Sequence, residues 1–175
     1  GWRLGFFAIP DELIELKNSI KVLCSESFTS VSAPIQYAAV EAYTGDYSSY
    51  IKDVTKILSF AGNFVYKNLK SNAISVSRPE GGFYLFPEFI NAKFSSSSEM
   101  CKEILNRTGV ALLPGSDFGL DKKRMIARLS FTDFNGAEFL KSIKSSKKLD
   151  TDDLKKYAPN IVEGTLKLKD WAHTL

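Results

Sequence analysis

The groups best suited to chemistry are two arginines set inside apolar, strand-like patterns. Arg3 lies in Gly1-Trp2-Arg3-Leu4-Gly5-Phe6, and Arg128 in Met125-Ile126-Ala127-Arg128-Leu129-Ser130-Phe131. A guanidinium carried into a buried element needs an anion, because burying an unpaired charge is very costly. Its planar fork of donors suits a carboxylate or a phosphate, held through parallel hydrogen bonds. Around Arg128, period two puts Ala127, Leu129 and Phe131 on one face and Ile126, Arg128 and Ser130 on the other. Both faces are apolar, so Arg128 is expected to project from a largely buried strand toward an anionic partner. The competing reading is an internal ion pair with Asp117 or Asp133. For Arg3 it is a surface salt bridge at a strand end. Lys122, Lys123 and Arg124 precede the second strand in a turn and read as solvated charges.

Other chemistries are narrowed by what accompanies these arginines. His173 is the only histidine, so it cannot by itself build a Ser-His-Asp triad, a Cys-His pair or a zinc cluster. Cys24 and Cys101 lie far apart without metal-ligand spacing and read as two reduced, partly buried thiols. No metal site is expected. A net charge of +3 is too small to argue for nucleic acid, and no basic stripe with interleaved aromatics appears. The run from Lys141 to Lys148 reads as a solvated helix end, in preference to a patch for nucleic acid or anionic lipid. No apolar stretch reaches the roughly 18 residues a membrane span needs. At 175 residues, with 44% hydrophobic and 25% charged, the chain has the makings of one ordinary globular domain with a core.

The elements that must position the arginines follow from pattern. Residues 1–7 read as a strand. Pro10-Asp11-Glu12 is a helix-start signal, with Leu13, Leu16, Ile20 and Leu23 as its apolar face. Pro34 opens a second helix through Ile35, Ala38, Ala39 and Ala42, which Gly45-Asp46 breaks. Ser48 or Ser49 is expected to cap a long helix in which Ile51, Val54, Leu58, Ala61, Val65 and Leu69 recur at spacings of three and four. At 1.5 Å per residue this helix spans on the order of 30 Å, enough to link two subdomains. Beyond residue 72 the texture changes to strands near 73–77, 82–86, 110–113 and 125–131. Either Tyr84 and Phe86, or Phe83 and Leu85, are expected to face the core. Ser96 and Glu99 have capping-box spacing before a helix that Gly109 ends. A helix over 134–146, an acidic-to-basic turn at Asp150 to Lys156, and a final helix from Pro159 anchored by Ile161, Leu168 and Trp171 complete the reading.

Four segments in order resemble one family. Gly1 to Phe6 is similar to the strand that follows the cofactor lysine in class I/II aminotransferases, pyridoxal-phosphate (PLP) enzymes of fold type I. Pro79-Glu80-Gly81-Gly82-Phe83-Tyr84-Leu85-Phe86 is similar to the family's P-x-G-[GA]-F-Y strand. Gly109-Val110-Ala111-Leu112-Leu113-Pro114-Gly115-Ser116-Asp117-Phe118-Gly119 resembles its G-V-x-x-x-P-G-x-x-F-G strand and loop. Arg128-Leu129-Ser130-Phe131 resembles its R-[LI]-[SA]-[FY] strand. Each piece alone is weak, and together they cover residues 1–131.

The resemblance implies an α/β fold. Residues 1–47 would be a remnant of the large PLP-binding domain, 48–71 a long connecting helix, and 72–175 the C-terminal small domain. It implies that Arg3 binds the cofactor phosphate, that Arg128 holds the substrate α-carboxylate, and that Phe118 shields the substrate from water in a loop needing positive-φ residues. Gln36 and Tyr37 match a helix start near the family's subunit interface. The Schiff-base lysine of the family lies roughly eight residues before the position of Arg3, so no catalytic residue is expected in this chain. The function implied is transfer of an amino group between an amino acid and a 2-oxo acid, in a homodimeric, cytoplasmic parent whose organellar targeting stays open. Other fold-type I PLP chemistry (a C–S lyase or decarboxylase) and a non-catalytic, lysine-less module remain as alternatives, because fold does not fix chemistry. The chain by itself is expected to be inactive. Residues 151–175 carry no functional reading.

Overall fold

The computed structural model describes residues 3–28, 30–143 and 148–175. Contacts divide the chain into two units, 1–49 and 50–175.

In the first unit a 3₁₀ turn at Asp11–Leu13 leads into α1 (Ile14–Ser27), followed by α2 (Ala33–Thr44). Pro34 sits in the first turn of α2 and Gly45 ends it, as the sequence predicts. The expected strand over 1–7 is not formed: residues 3–10 are irregular. A strand needs a neighbour for its backbone donors and acceptors, and none of the described strands lies in this unit. Among its described residues no side chain is buried. The apolar residues Leu13, Leu16 and Leu23, read as a helical face, are exposed.

The helix α3 runs over Ser48–Leu69. Its start is marked by Asp46, whose carboxylate accepts a 3.0 Å bond from the Ser48 backbone N–H. Bonds from the Ser48 hydroxyl and then its amide hold that carboxyl below its ordinary range. Neither Ser48 nor Ser49 is the capping residue; both lie within the helix. The buried stripe is Ile57, Ala61, Gly62, Val65 and Leu69. Ile51, expected on it, is exposed.

The second unit is built on two small antiparallel sheets. One pairs β1 (Ile74–Ser75) with β3 (Glu88–Phe89); the other has the order β2 (Tyr84–Leu85), β5 (Ala127–Ser130), β4 (Leu113–Pro114). Tyr84 pairs with Ser130 and Leu85 with Leu129, while Leu113 pairs with Arg128. The strands are shorter than predicted, for a local reason. Pro87 offers no donor to the ladder and separates β2 from β3. Pairing with the 125–131 segment nevertheless continues past it, through Ala127 N–H to Pro87 O and Phe89 N–H to Met125 O. The sequence reading did not find β3.

The helices α4 (Ser97–Thr108), α5 (Gly136–Ile143), α6 (Thr151–Tyr157) and α7 (Pro159–Ala172) complete the unit. The Ser96 hydroxyl accepts the Glu99 amide as expected, but the Glu99 carboxylate reaches back to Ser95 instead of closing the box on Ser96. Gly109 ends α4 at φ +74°. The predicted turn at 150–156 is instead α6, opened by a capping box in which Asp150 and Asp153 serve each other's backbone N–H. Half of the basic run at 141–148 lies outside the described residues. Lys141 and Lys148, which are described, are exposed.

One apolar cluster joins these elements: Val65 and Leu69 of α3, Leu85, Leu129 and Phe131 from the sheet, Met100 and Ile104 of α4, Phe139 of α5, and Ile161 and Leu168 of α7. Each such fully buried side chain contributes about 1.5–3 kcal/mol. Trp171 stands edge-on to Phe89 at 5.5 Å, so the anchors predicted for α7 all pack.

The sheet meets the 115–119 loop tightly at Gly115, which donates 2.8 Å to the carbonyl of Ile126. A Cβ there would stand 2.9 Å from that same backbone oxygen. Gly115→Ala should therefore destabilise the chain by roughly 1–3 kcal/mol. A denaturation midpoint unchanged from that of the native sequence would refute this packing.

Candidate functional site

Arg128 occupies the middle strand of the three-stranded sheet, and the two faces of that strand have opposite fates. Ala127, Leu129 and Phe131 are buried in the core, while Ser130 is exposed and Arg128 half-buried. The predicted division of the strand therefore holds, with Ile126 buried on Arg128's side. Arg128 projects from this largely buried strand and is itself half-buried, because β5 is open on the Arg128 side near its centre. Leu85 is the only residue of Phe83 to Phe86 that packs into the core; Tyr84 and Phe86 lie on the open face and are about two-fifths exposed. Their register explains this. Tyr84 is cross-strand from Ser130, which places it diagonally from Arg128 on the same face.

The guanidinium carbon of Arg128 lies 4.4 Å from the ring centroid of Tyr84 and 4.4 Å from that of Phe118. Phe118 comes from the 3₁₀ turn Gly115–Phe118, closed by Gly119 at φ +80°. It is braced edge-on against Phe86 at 5.6 Å. A cation over an aromatic ring within about 6 Å gains roughly 0.5–2 kcal/mol, and the rings hold the long side chain without using its hydrogen-bond donors. Those donors have no protein acceptor: among the described residues the Arg128 side chain makes no hydrogen bond or ion pair. Neither carboxylate proposed as a partner reaches it. Asp133 accepts from Asn160 at 3.1 Å, and Asp117 makes no ion pair among the described residues. The arrangement offers an oriented, unpaired guanidinium at the edge of an apolar, aromatic surface. That is a receptor for a carboxylate or phosphate.

The remaining candidates fall as follows. Arg3 is exposed in irregular chain, and its side chain makes no hydrogen bond or ion pair among the described residues. Its predicted setting in a buried strand is not formed in the described part of 1–7. Trp2 lies outside the described residues. Gln36 donates 2.6 Å to the Val31 carbonyl, bracing the start of α2, and Tyr37 is exposed. Arg124, read as a solvated charge, makes a two-point pair with Glu88 at 2.8 and 3.2 Å. Glu88 belongs to the strand the sequence reading missed, which is why the pair was not legible. Among the described residues no group of His, Cys, Asp and Glu could hold a metal ion, and no helix is long and apolar enough to cross a membrane.

Of the two alternatives left open for this strand, the structure turns Leu85 inward and leaves Tyr84 on the open face beside Arg128. The signal that decides between them is the pairing of β2 with β5, since period two within β2 leaves open which face is turned inward.

Residues 1–143 match the family described as aminotransferase class I and II. The chain belongs to that family. It is 33% identical over 124 residues to an aspartate aminotransferase of Bacillus sp. (strain YM-2), a match covering 68% of this chain and 31% of the relative. With the aromatic-amino-acid aminotransferase 2 of Thermococcus litoralis it shares 30% identity over 123 residues, 68% of this chain and 30% of that one. The chain thus spans about a third of the length of the curated relatives it matches. Among solved structures, an alanine aminotransferase from Pyrococcus furiosus superposes with a TM-score of 0.66 at 21% identity, over 94% of this chain and 36% of that one. An aminotransferase from Mycobacterium tuberculosis gives 0.65 at 21% identity, over 99% and 38%. At those identities the likeness shows the fold, which is the α/β fold of the fold-type I aminotransferases.

Both cysteines are free; Cys24 is half-buried and Cys101 buried. Burial first, and then the negative charge of Asp117, pushes the Cys101 thiol up to about 11. At pH 8 its thiolate fraction is on the order of a hundredfold below that of an ordinary thiol. Ellman's reagent should therefore titrate one fast thiol in the native chain, lost in Cys24→Ser and kept in Cys101→Ser. Two equally fast thiols would contradict the buried setting of Cys101.

Proposed function

We propose that this chain is the C-terminal part of a PLP-dependent aminotransferase that moves an amino group between an α-amino acid and a 2-oxo acid, with Arg128 as the carboxylate receptor. The observation that carries the reading is the Arg128 guanidinium itself. It is held against Tyr84 and Phe118 and has no anion of its own protein beside it, in a family whose members process amino acids. A planar fork fits a carboxylate at two points and so fixes the rotation of the substrate about its Cα. Phe118 is proposed to shield a bound substrate from water, which would strengthen that contact.

The domain reading has similar support. Residues 1–47 are proposed as a remnant of the large domain, α3 as the connecting helix, and 72–175 as the small domain. The first unit buries no described side chain, whereas the second contains the whole core. Arg3 is proposed to hold the cofactor phosphate; its exposed guanidinium, with donors engaged by no described residue, fits a dianion. PLP, when bound, supplies the electron sink that makes the Cα–H bond acidic. The 175-residue chain by itself is proposed to be catalytically silent. The parent is proposed to be a cytoplasmic homodimer.

In the full-length parent, Arg128→Leu should leave PLP content near that of the native enzyme while turnover of α-amino acids falls. Loss of a charge-assisted two-point contact corresponds to roughly 2–5 kcal/mol, on the order of 30- to 5000-fold in kcat/KM. Amines without a carboxylate should be far less affected. Arg3→Leu should do the reverse and weaken PLP retention first. Equal slowing of carboxylate-free amines by Arg128→Leu would make the residue structural and defeat the assignment.

A further inference from the structure

A second cationic site lies away from Arg128. A concavity of about 680 Å³ is lined by Lys56 and Lys67 of α3, by Arg78 in the segment after β1, and by Lys148 just before α6. Ser59, Asn63 and Tyr66 add to its polar wall, and among the described residues no carboxylate lines it. The whole chain has a net charge of only +3, so Lys67, Arg78 and Lys148, gathered from three segments on one surface, are a local concentration. Like charges drawn together in this way destabilise a fold unless an anion offsets them. Lys67, Arg78 and Lys148 form no ion pair with any described residue.

Two contacts prepare the wall for an anion. The Arg78 Nε donates 3.1 Å to the Asn63 carbonyl oxygen, which orients the guanidinium and leaves its terminal nitrogens to donate elsewhere. The Lys70 Nζ donates 2.9 Å to the Tyr66 hydroxyl oxygen, so the proton of that hydroxyl stays available as a donor. Positions 56, 63 and 67 recur at helical spacing, which is why one face of α3 carries the set. A volume of this size is in the range of small-ligand sites.

We propose that this concavity binds a polyphosphate group, either as a free inorganic anion or carried by a nucleoside. A single phosphate has too few oxygens and too little charge to engage cations from three separate segments, whereas a chain of two or three phosphoryl groups matches their number. The site is independent of the carboxylate reading of Arg128, and its failure would leave that reading untouched.

The test is calorimetric titration of the chain with inorganic triphosphate at low ionic strength. One saturable site is expected, weakened at least tenfold in the double variant Lys67→Glu/Arg78→Glu. It should change less than twofold in Lys93→Glu/Lys102→Glu, which alters net charge equally at exposed positions elsewhere. Should the charge reversal unfold the chain, Lys67→Met/Arg78→Gln serves in its place, with a loss of at least threefold expected. ATP binding tighter than triphosphate would assign a nucleoside-borne group, and equal binding a free polyphosphate; either supports the site. Absence of saturation, equal weakening by the control variant, sulfate binding as tightly as triphosphate, or duplex DNA binding more tightly than both would overturn it.

Discussion

The contact on which the rest of the site depends is the placement of the Arg128 guanidinium over the rings of Tyr84 and Phe118, each 4.4 Å away. An arginine side chain has many rotamers, and fixing it usually costs about 2 kcal/mol of entropy. A protein carboxylate could hold it, but would also occupy the donors. Two aromatic rings hold it while leaving the donors free. Each ring then has to be held in turn. Tyr84 is set by cross-strand register with Ser130. Phe118 is set by a turn that begins at Gly115, pressed against the Ile126 carbonyl, and ends at left-handed Gly119.

The same sheet separates two environments. Leu85, Ala127, Leu129 and Phe131 face the core, where α3, α4, α5 and α7 cover them. The intervening residues, Arg128 among them, face outward. Because the period of a strand is two, a slip of one residue would bury the arginine and expose the core set. The apolar half of β5 thus does more than stabilise the core: it fixes which way Arg128 points. The close approach of Gly62 on α3 to the Phe131 ring, where a Cβ would stand 2.9 Å away, belongs to the same constraint.

Much of this is legible in the sequence, where the information is local. The alternation around Arg128, the long helix ending at Leu69, the α4 cap at Ser96 and the anchors of α7 follow from period and capping chemistry, which act over a few residues. What was lost needed a partner. The strand expected at residues 1–7 has no described neighbour to pair with. Strand β3 exists because the 125–131 segment continues to pair beyond Pro87, a long-range fact. The helix α6 was hidden because its box closes with Asp153 where a glutamate is the usual signal. Which of Tyr84 and Leu85 turns inward stays open in the sequence, because a five-residue strand carries no sign of which face is buried. The resemblance of four segments to class I/II aminotransferases, by contrast, agrees with the family match over residues 1–143.

The most direct test of the central claim is a crystal structure of the full-length parent with PLP and a non-reacting dicarboxylate or α-methyl amino acid bound. The account predicts a carboxylate held by both terminal nitrogens of Arg128 at about 2.7–2.9 Å, with Tyr84 and Phe118 still against the guanidinium. A ligand carboxylate bound elsewhere, with Arg128 paired to a carboxylate of the protein, would contradict it.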